Sequence, residues 1–458
     1  MLTDAVAILG KFKHTSAPIA RAFSSSSPVF ENLRPASSQT VIRNRVFDDG
    51  GVRGIKTVRV LSIDGGGIRG IIPLKFLQRI QNEVNNARRA GGLEQNLNIH
   101  QMFDVIAGTS SGGIIALGLS SPEVLRNTNL EVLENENLQE RQTPSEVDQL
   151  LRIFRTRGSE LFKKTSVYDV PTSFLQFRGT KLFAPKYEVD SLERLMNEHF
   201  CEIRIRQAKT NVLVPAYDID YKRIHVFHSF PLDATQRDIW NDMDDNAQPW
   251  PDFYMKDVAR VISAAPTYFL PQSIRMTTTT GEPYRGGLKN IIDAGIVVNN
   301  PAMLSYIHAK RLFPQAERFY VLSLSTGEPP PKAHDFAKPK DGGLYKWGSE
   351  FLNVLSGATN SIVHTQMKNI PGVQIVRLPI TRLEEEIPLD AIDRVGHIED
   401  IETGVINNIA AEGVFGGIVR EILQDRGEYP SRRGEGLPSY DPMLCDQDTN
   451  YRKWARGE

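Results

Sequence analysis

Cysteine is almost absent from this sequence. The 458 residues contain two, Cys201 and Cys445, which allow neither a disulfide framework nor a zinc-binding spacing and suit a reducing compartment. Net charge is nearly absent as well: 54 Lys plus Arg are balanced by 55 Asp plus Glu. Nothing in that balance attracts a polyanion, so no nucleic-acid partner is expected. Long apolar runs are also missing. The longest uncharged ones, such as Gly112 to Leu119, fall far short of the ~20 residues that cross a bilayer. Contact with a membrane is therefore expected from its surface only. No loop has the oxygen-ligand spacing of an EF-hand, and neither a metal nor another cofactor is expected.

The chain does have a hydrophobic content of 40%, enough for a sizeable core. Its length suits two or three domains, or one large α/β domain with attachments. Residues 1–54 differ from the rest. Ser24 to Ser27 form a serine run, and Lys11, Lys13 and Arg21 outweigh Asp4. The segment reads as a disordered tail. A mitochondrial targeting segment is the alternative, because transit peptides are Arg- and Ser-rich and poor in acids. From Val58 the texture becomes globular. Val58 to Ile63 suits a buried parallel strand, and Ile72, Leu74, Leu77, Ile80 and Val84 recur at helical spacing. Met102 to Ala107 reads as a second strand and Gly112 to Leu119 opens a second helix. Strands alternating with helices predict an α/β fold with a parallel sheet. Residues 122–144 are polar and aperiodic, a surface insertion. Glu146 to Lys164 reads as an amphipathic helix. Further strands are expected at Asn211 to Asp218, Arg223 to His228 and Val373 to Pro379, and helices at Gly348 to Lys368 and Asp400 to Leu423. Val258 to Ala265 and Phe319 to Ser325 are two more elements. Residues 426–458 are polar and rich in Gly and Pro, with little structure expected.

Three stretches carry chemistry. Leu61 to Gly70 reads LSIDGGGIRG. Its G-x-G-x-x-G after an apolar run is the spelling of a dinucleotide-binding turn. The same glycines can instead offer backbone N–H groups to a developing oxyanion. A dinucleotide turn expects an acidic residue ~20 positions past the last glycine, where Arg88, Arg89 and Gly91-Gly92 stand instead. Asp64 would also set a negative charge beside a pyrophosphate. Met102 to Leu117 reads MFDVIAGTSSGGIIAL, with Gly108, Ser110 and Gly112 forming G-x-S-x-G between a strand and a helix. This is the context of a nucleophile elbow, although a plain tight turn is also spelled this way. The third stretch, NIIDAGIVVNNP from Asn290 to Pro301, carries Asp293 to the end of an apolar run. An ordinary aspartate is too weak a base for efficient proton removal. Burial would raise its pKa and make a direct Ser–Asp dyad workable. A turn aspartate capping a local N–H is the structural alternative. Histidines that could complete a Ser-His-Asp triad follow the elbow at His199, His225, His228, His308, His334, His364 and His397, none in a distinctive loop.

Taken in order, these blocks resemble the patatin-like phospholipases, or lipid acyl hydrolases. DGGGIRG from Asp64 to Gly70 is similar to the family's oxyanion-hole motif, and GTSSG from Gly108 to Gly112 to its elbow. SAAPTYF from Ser263 to Phe269 is similar to a characteristic middle segment, and DAGIVVNNP from Asp293 to Pro301 to the motif of the dyad aspartate. The likeness spans roughly residues 55–425. Ala294, Ser111 and Ser325 depart from the usual residues without removing a catalytic atom.

The resemblance implies a patatin-like three-layer α/β/α fold with a mostly parallel central sheet. It implies Ser110 as nucleophile, Asp293 as base, and an oxyanion hole from Gly65, Gly66 and Gly67 with Arg69 holding the loop. Two-step hydrolysis of acyl esters of glycerophospholipids or galactolipids follows. The implied location is intracellular and cytoplasmic with peripheral membrane contact; an activating protein partner is left unidentified. The Leu150 to Lys164 stretch, with Phe154, Phe162 and several Arg and Lys, suits either a membrane-surface helix or a core helix with a solvated basic face. Two further readings stay open. One is a serine esterase with a His-containing triad, and the other is a lipid-binding module that has kept the fold without the chemistry.

Overall fold

The computed structural model describes residues 57–122, 145–165, 185–230, 252–277, 283–327, 344–378, 387–411 and 413–424. The expected tails at 1–54 and 426–458, and residues 123–144 of the insertion, lie outside them. In chain order the elements are β1 (Thr57–Ile63), α1 (Ile71–Ala90), β2 (Val105–Gly108), α2 (Ser111–Ser120), α3 (Glu146–Leu161) and α4 (Asp190–Phe200). Then come β3 (Asn211–Asp218), β4 (Arg223–His228), α5 (Met255–Ile262), β5 (Gln272–Thr277), β6 (Pro283–Asp293) and α6 (Ala302–Leu312). The last are β7 (Arg318–Leu324), α7 (Leu344–Lys368), β8 (Val373–Leu378), α8 (Val395–Ala411) and α9 (Val414–Leu423).

The strands form one sheet of order β5-β6-β3-β2-β1-β7-β8, with β4 on β3. Pairing is parallel from β3 through β2, β1 and β7 to β8 and antiparallel at β3–β4, β3–β6 and β5–β6. The α/β expectation with a mostly parallel sheet therefore holds. Because side chains alternate along a strand, β1 sends Val58 and Val60 to one face and Leu61 and Ile63 to the other. The first face packs on α6 and the end of α7 through Ala302, Ala309 and Met367. The second packs on α1, α2, α3, α5 and α9. Two cores on opposite faces make three layers, and burial on both faces explains why β1 and β2 read as continuous apolar runs.

Local chemistry moved several expected boundaries. The strand expected from Met102 begins at Val105. Asn98 and Gln101 form a reciprocal cap that turns Ile99–Met102 into one helical turn. The Asp400 to Leu423 helix is two helices, split at Gly413 with φ 75. The apolar side of α3 faces the core, with Leu150, Leu151 and Phe154 buried. Two of its basic residues meet acids, Arg155 pairing with Glu399 and Arg157 with Glu160 and Glu198, and the following Lys163 pairs with Glu188. Of the two readings for this stretch, the core helix is the one observed.

The position of β6 matters most for the site. A strand has two hydrogen-bonding edges. On β3, β4 occupies one edge from Leu213 to Asp218. The other edge is shared: β2 pairs with Asn211–Leu213 and β6 with Ala216–Asp218. β2 and β6 thus approach each other head-on, and their C-terminal ends meet beside Val214 and Pro215. Ala107 pairs with Leu213 and Asp293 with Ala216, so three residues beyond Ala107 the chain at Ser110 comes level with Asp293.

Across the sheet, Arg377 of β8 reaches over Ser323 of β7 to Asp64, just past β1. Its guanidinium donates to the Asp64 carboxylate at 2.6 and 3.3 Å and to Ser323 Oγ at 2.8 Å. Asp64 is 1% exposed. Arg377→Met leaves that carboxylate buried without its cation and is expected to cost about 3–5 kcal/mol of stability, read as a drop in urea midpoint. The double variant Asp64→Asn/Arg377→Met is expected to lose less than the single one.

Candidate active site

Ser110 stands between β2 and α2 with φ 53 and ψ −125. A non-glycine residue with positive φ is strained by roughly 1–3 kcal/mol and persists only where its surroundings over-determine it. Two glycines allow this. A side chain on Gly108 would collide with the Gly112 carbonyl, and one on Gly112 with the Ile63 and Asp64 carbonyls. The first turn of α2 then closes on the Ser110 carbonyl, which accepts from Gly113 N at 2.9 Å and Ile114 N at 3.1 Å. This end of the helix is its positive end. Thr109 ties the elbow down further, its Oγ1 donating to the Val298 carbonyl at 2.7 Å.

The Asp293 carboxylate is 4% exposed. It accepts from Gly295 N at 2.7 Å, and the neighbouring Ser110 side chain acts on it to lower its pKa. Its own N–H donates to the Ala264 carbonyl at 3.1 Å, which fastens β6 to the SAAPTYF segment. Burial pushes the Asp293 pKa up from 3.8 to about 6, against the opposing pull of the Ser110 side chain and the Gly295 N–H. The turn-aspartate geometry and the serine contact coexist in one side chain.

The glycine loop lies alongside. A Cβ on Gly65 would fall 3.1 Å from Ser110 Cβ, so the missing side chain leaves room beside the serine. The N–H groups of the three glycines differ. Gly65 N donates to the Asn299 carbonyl and Gly66 N to Ser111 Oγ, both at 3.2 Å. Gly67, at φ 59, has no acceptor for its N–H among the described residues. Arg69 donates to the Gly66 carbonyl at 3.4 Å and to the Gly327 carbonyl at 3.3 Å. The Gly65 carbonyl accepts from Thr326 Oγ1 at 2.8 Å.

His225, His228 and His308 pack on other residues. His225 packs on Phe227 and Phe253. His228 meets the Phe230 carbonyl at 2.7 Å and stands 6.3 Å from His308, ring to ring. Burial holds His225 and His228 neutral, with pKa values lowered to about 4 and about 3. No histidine is among the groups that shift the Asp293 pKa. His334 lies outside the described residues. Among the described residues no group of three or more His, Cys, Asp or Glu stands together as metal ligands.

Ser110, Asp293 and Gly65 to Gly67 were each singled out in the sequence, and the fold brings them together with Arg69 behind the loop. Thr326, Ser111 and Arg377 were not marked for the roles they have here. Ser325-Thr326-Gly327 follows a strand as the other motifs do, which was a usable signal. Arg377 carries no local pattern at all.

A strained serine on a strand-to-helix turn, facing a glycine-rich loop, is the geometry of the α/β acyl hydrolases. Residues 61–306 match the family described as patatin-like phospholipase, and the chain belongs to that family of lipid acyl hydrolases acting on ester bonds. It is 25% identical over 425 residues to patatin-like protein 2 of Oryza sativa subsp. indica, covering 86% of this chain and 93% of the relative. It is 29% identical to patatin-like protein 2 of Arabidopsis thaliana, over 67% of this chain and 70% of the relative. Patatin group D-2 of Solanum tuberosum is 30% identical over 56% of this chain and 54% of its own length.

Gly112→Ala tests the elbow. The new methyl group meets two backbone carbonyls that cannot rotate away, so the variant is expected to lose several degrees of melting temperature by circular dichroism. It should also lose most of its ester hydrolysis.

Proposed function

We propose that the chain hydrolyses acyl esters of glycerophospholipids or galactolipids through a Ser110–Asp293 dyad. The supporting observation is a strained serine whose side chain acts on a buried carboxylate, with burial raising the carboxylate's pKa toward neutrality. A base tuned near the working pH removes a proton more effectively than an ordinary aspartate. Asp293 takes the Ser110 proton as Oγ attacks the ester carbonyl carbon. The tetrahedral oxyanion is met by the open N–H of Gly67 and by the N–H of Gly66 as it exchanges Ser111 Oγ for the oxyanion, each such donor worth ~3 kcal/mol in comparable sites. Collapse breaks the ester C–O bond, and the leaving alcohol takes the proton from Asp293. Water then attacks the acyl-serine, giving its proton to Asp293, and the fatty acid leaves as Ser110 regains a proton. Gly65, its N–H turned to Asn299, supplies space, and Arg69 holds the loop. The catalytic unit spans 55–425, and the substrate is taken from a membrane surface. Among the described residues no helix is long and apolar enough to cross a membrane.

A fluorophosphonate probe should label the wild type and leave Ser110→Ala unlabelled. Substitution of each described histidine with Asn or Gln should leave ester hydrolysis in place. Loss on one such change, with Asp293→Asn still active, would overturn the dyad in favour of a triad. A lipid panel read by mass spectrometry assigns the substrate class.

The raised pKa also sets a pH dependence. Only ionised Asp293 accepts the proton, so kcat/KM is expected to rise with a one-proton slope through about pH 6. Stability runs the other way. The folded state keeps its proton up to about 6 whereas the unfolded chain loses it near 3.8. The stabilising contribution is full below the lower value and is lost as pH rises through the upper one. Asp293→Asn, free of the buried charge, is expected to melt higher than wild type at pH 8 while being inactive. Differential scanning calorimetry at pH 4 and pH 8 checks the sign.

A further inference from the structure

The structure assigns a positioning role to Asp390: anchored by Lys186 and Tyr187, it latches the 387–392 segment onto the glycine loop and so holds Gly67 in place. This rests on the reading of that loop as an oxyanion hole. Asp390 lies outside the four motif blocks and beyond the family match, which ends at 306.

The latch is a chain of contacts. The Leu389 carbonyl accepts from Ile68 N at 2.7 Å. It also lies against the α-carbon of Gly67, where a side chain would collide with it. The Gly67–Ile68 turn is therefore shaped from outside by one carbonyl. That carbonyl belongs to the residue before Asp390, whose carboxylate accepts from Lys186 Nζ and Tyr187 Oη together. The segment has little regular structure to hold it. It makes short turns, Ala391 N to Pro388 O at 3.2 Å and Ile392 N to Asp390 O at 2.9 Å. Ile387 and Ala391 are buried in the core, and the charge-assisted pair of hydrogen bonds anchors Asp390 between them.

The other end of the anchor is rigid. Tyr187 is 1% exposed and its ring sits among Phe162, Tyr268 and Phe269, with centroids 5.4 to 5.8 Å away. Lys186 N donates to the Thr267 carbonyl at 3.1 Å and Tyr187 N to the Tyr268 carbonyl at 3.0 Å. Thr267 and Tyr268 belong to the SAAPTYF segment, whose Ala264 carbonyl receives the Asp293 N–H. One connected path thus runs from the base, through SAAPTYF and Tyr187, to Asp390, Leu389 and the oxyanion loop. The two donors hold the Asp390 carboxyl below its ordinary pKa, despite burial, so the anchor is charged at neutral pH. A latch of this kind sets the direction of an N–H toward the transition state and leaves the substrate's ground-state contacts alone. Its loss therefore shows in kcat rather than in KM.

The test uses the full chain with Asp390→Ala, Asp390→Asn and Tyr187→Phe. A fluorophosphonate taken to completion counts folded sites. A p-nitrophenyl acyl ester gives kcat and KM, and an aliphatic trifluoromethyl ketone, which adds to the serine as an oxyanion, reports the hole. In Asp390→Ala the labelled fraction is expected to match wild type and kcat to fall about tenfold to hundredfold, with KM changed less than about twofold. The ketone should weaken by the same factor as kcat/KM, and the acid limb near pH 6 should not move. Asp390→Asn keeps an acceptor for both donors and should recover part of the loss. Tyr187→Phe removes one donor and should show a smaller loss of the same kind, which carries the test if Asp390→Ala does not fold. Wild-type kcat in a folded variant, or a fall in kcat with unchanged ketone affinity, overturns the latch alone. A wild type that no fluorophosphonate labels, or an active Ser110→Ala, overturns the serine reading and the latch with it.

Discussion

The backbone approach on which the other features of the site depend is that of Gly112 to the Ile63 and Asp64 carbonyls. It brings the start of α2 against the end of β1, which places the elbow directly beside the glycine loop. With the turn pinned there, Ser110 takes up its positive φ. The strain is local, of roughly 1–3 kcal/mol, and is held by a sheet buried on both faces.

Two buried carboxylates near this turn have opposite fates for one physical reason. In a medium of low dielectric a lone charge is costly, and a partner of opposite sign removes most of the cost. Asp64 has Arg377 against it and serves as a charged anchor under the loop. Asp293 has only a hydroxyl and an N–H, so burial dominates and its pKa climbs. The same residue type is therefore ion-paired in one place and pushed toward its neutral form in the other. The guanidinium carried by β8 stands against Asp64 and not against Asp293.

The parts of the site that could be read in the sequence are those whose constraint is local. Glycines two positions either side of Ser110 are demanded by the turn itself, and a run of three glycines directly after a strand is visible as a pattern, although Gly65 and Gly66 make room for the Asn299 and Thr326 side chains and Gly67 for the Leu389 carbonyl. An aspartate ending an apolar run is likewise visible. The general rule that sites lie at the carboxyl ends of parallel strands led to Asp293, which does end a strand, but not a parallel one. β6 runs antiparallel to β3, and Asp293 arrives by meeting β2 head-on along a shared edge. The division of work among the glycine N–H groups was not visible either, because it is set by Asn299 and Ser111, one far along the chain and the other on the facing turn.

The sequence by itself determined the α/β alternation, the elbow, the glycine loop and the identity of the acidic residue, since each is written into the spacing of neighbouring residues. Tertiary structure decided which charges are paired, which N–H groups remain open and what holds the loop from outside. Arg377 reaches Asp64 across 313 residues of chain, and Tyr187 reaches Asp390 across 203. Neither pair has a periodicity or a motif to announce it. Such partners are chosen by sheet order and by which surfaces the folded chain brings into contact, and those are properties of the whole fold rather than of any stretch within it.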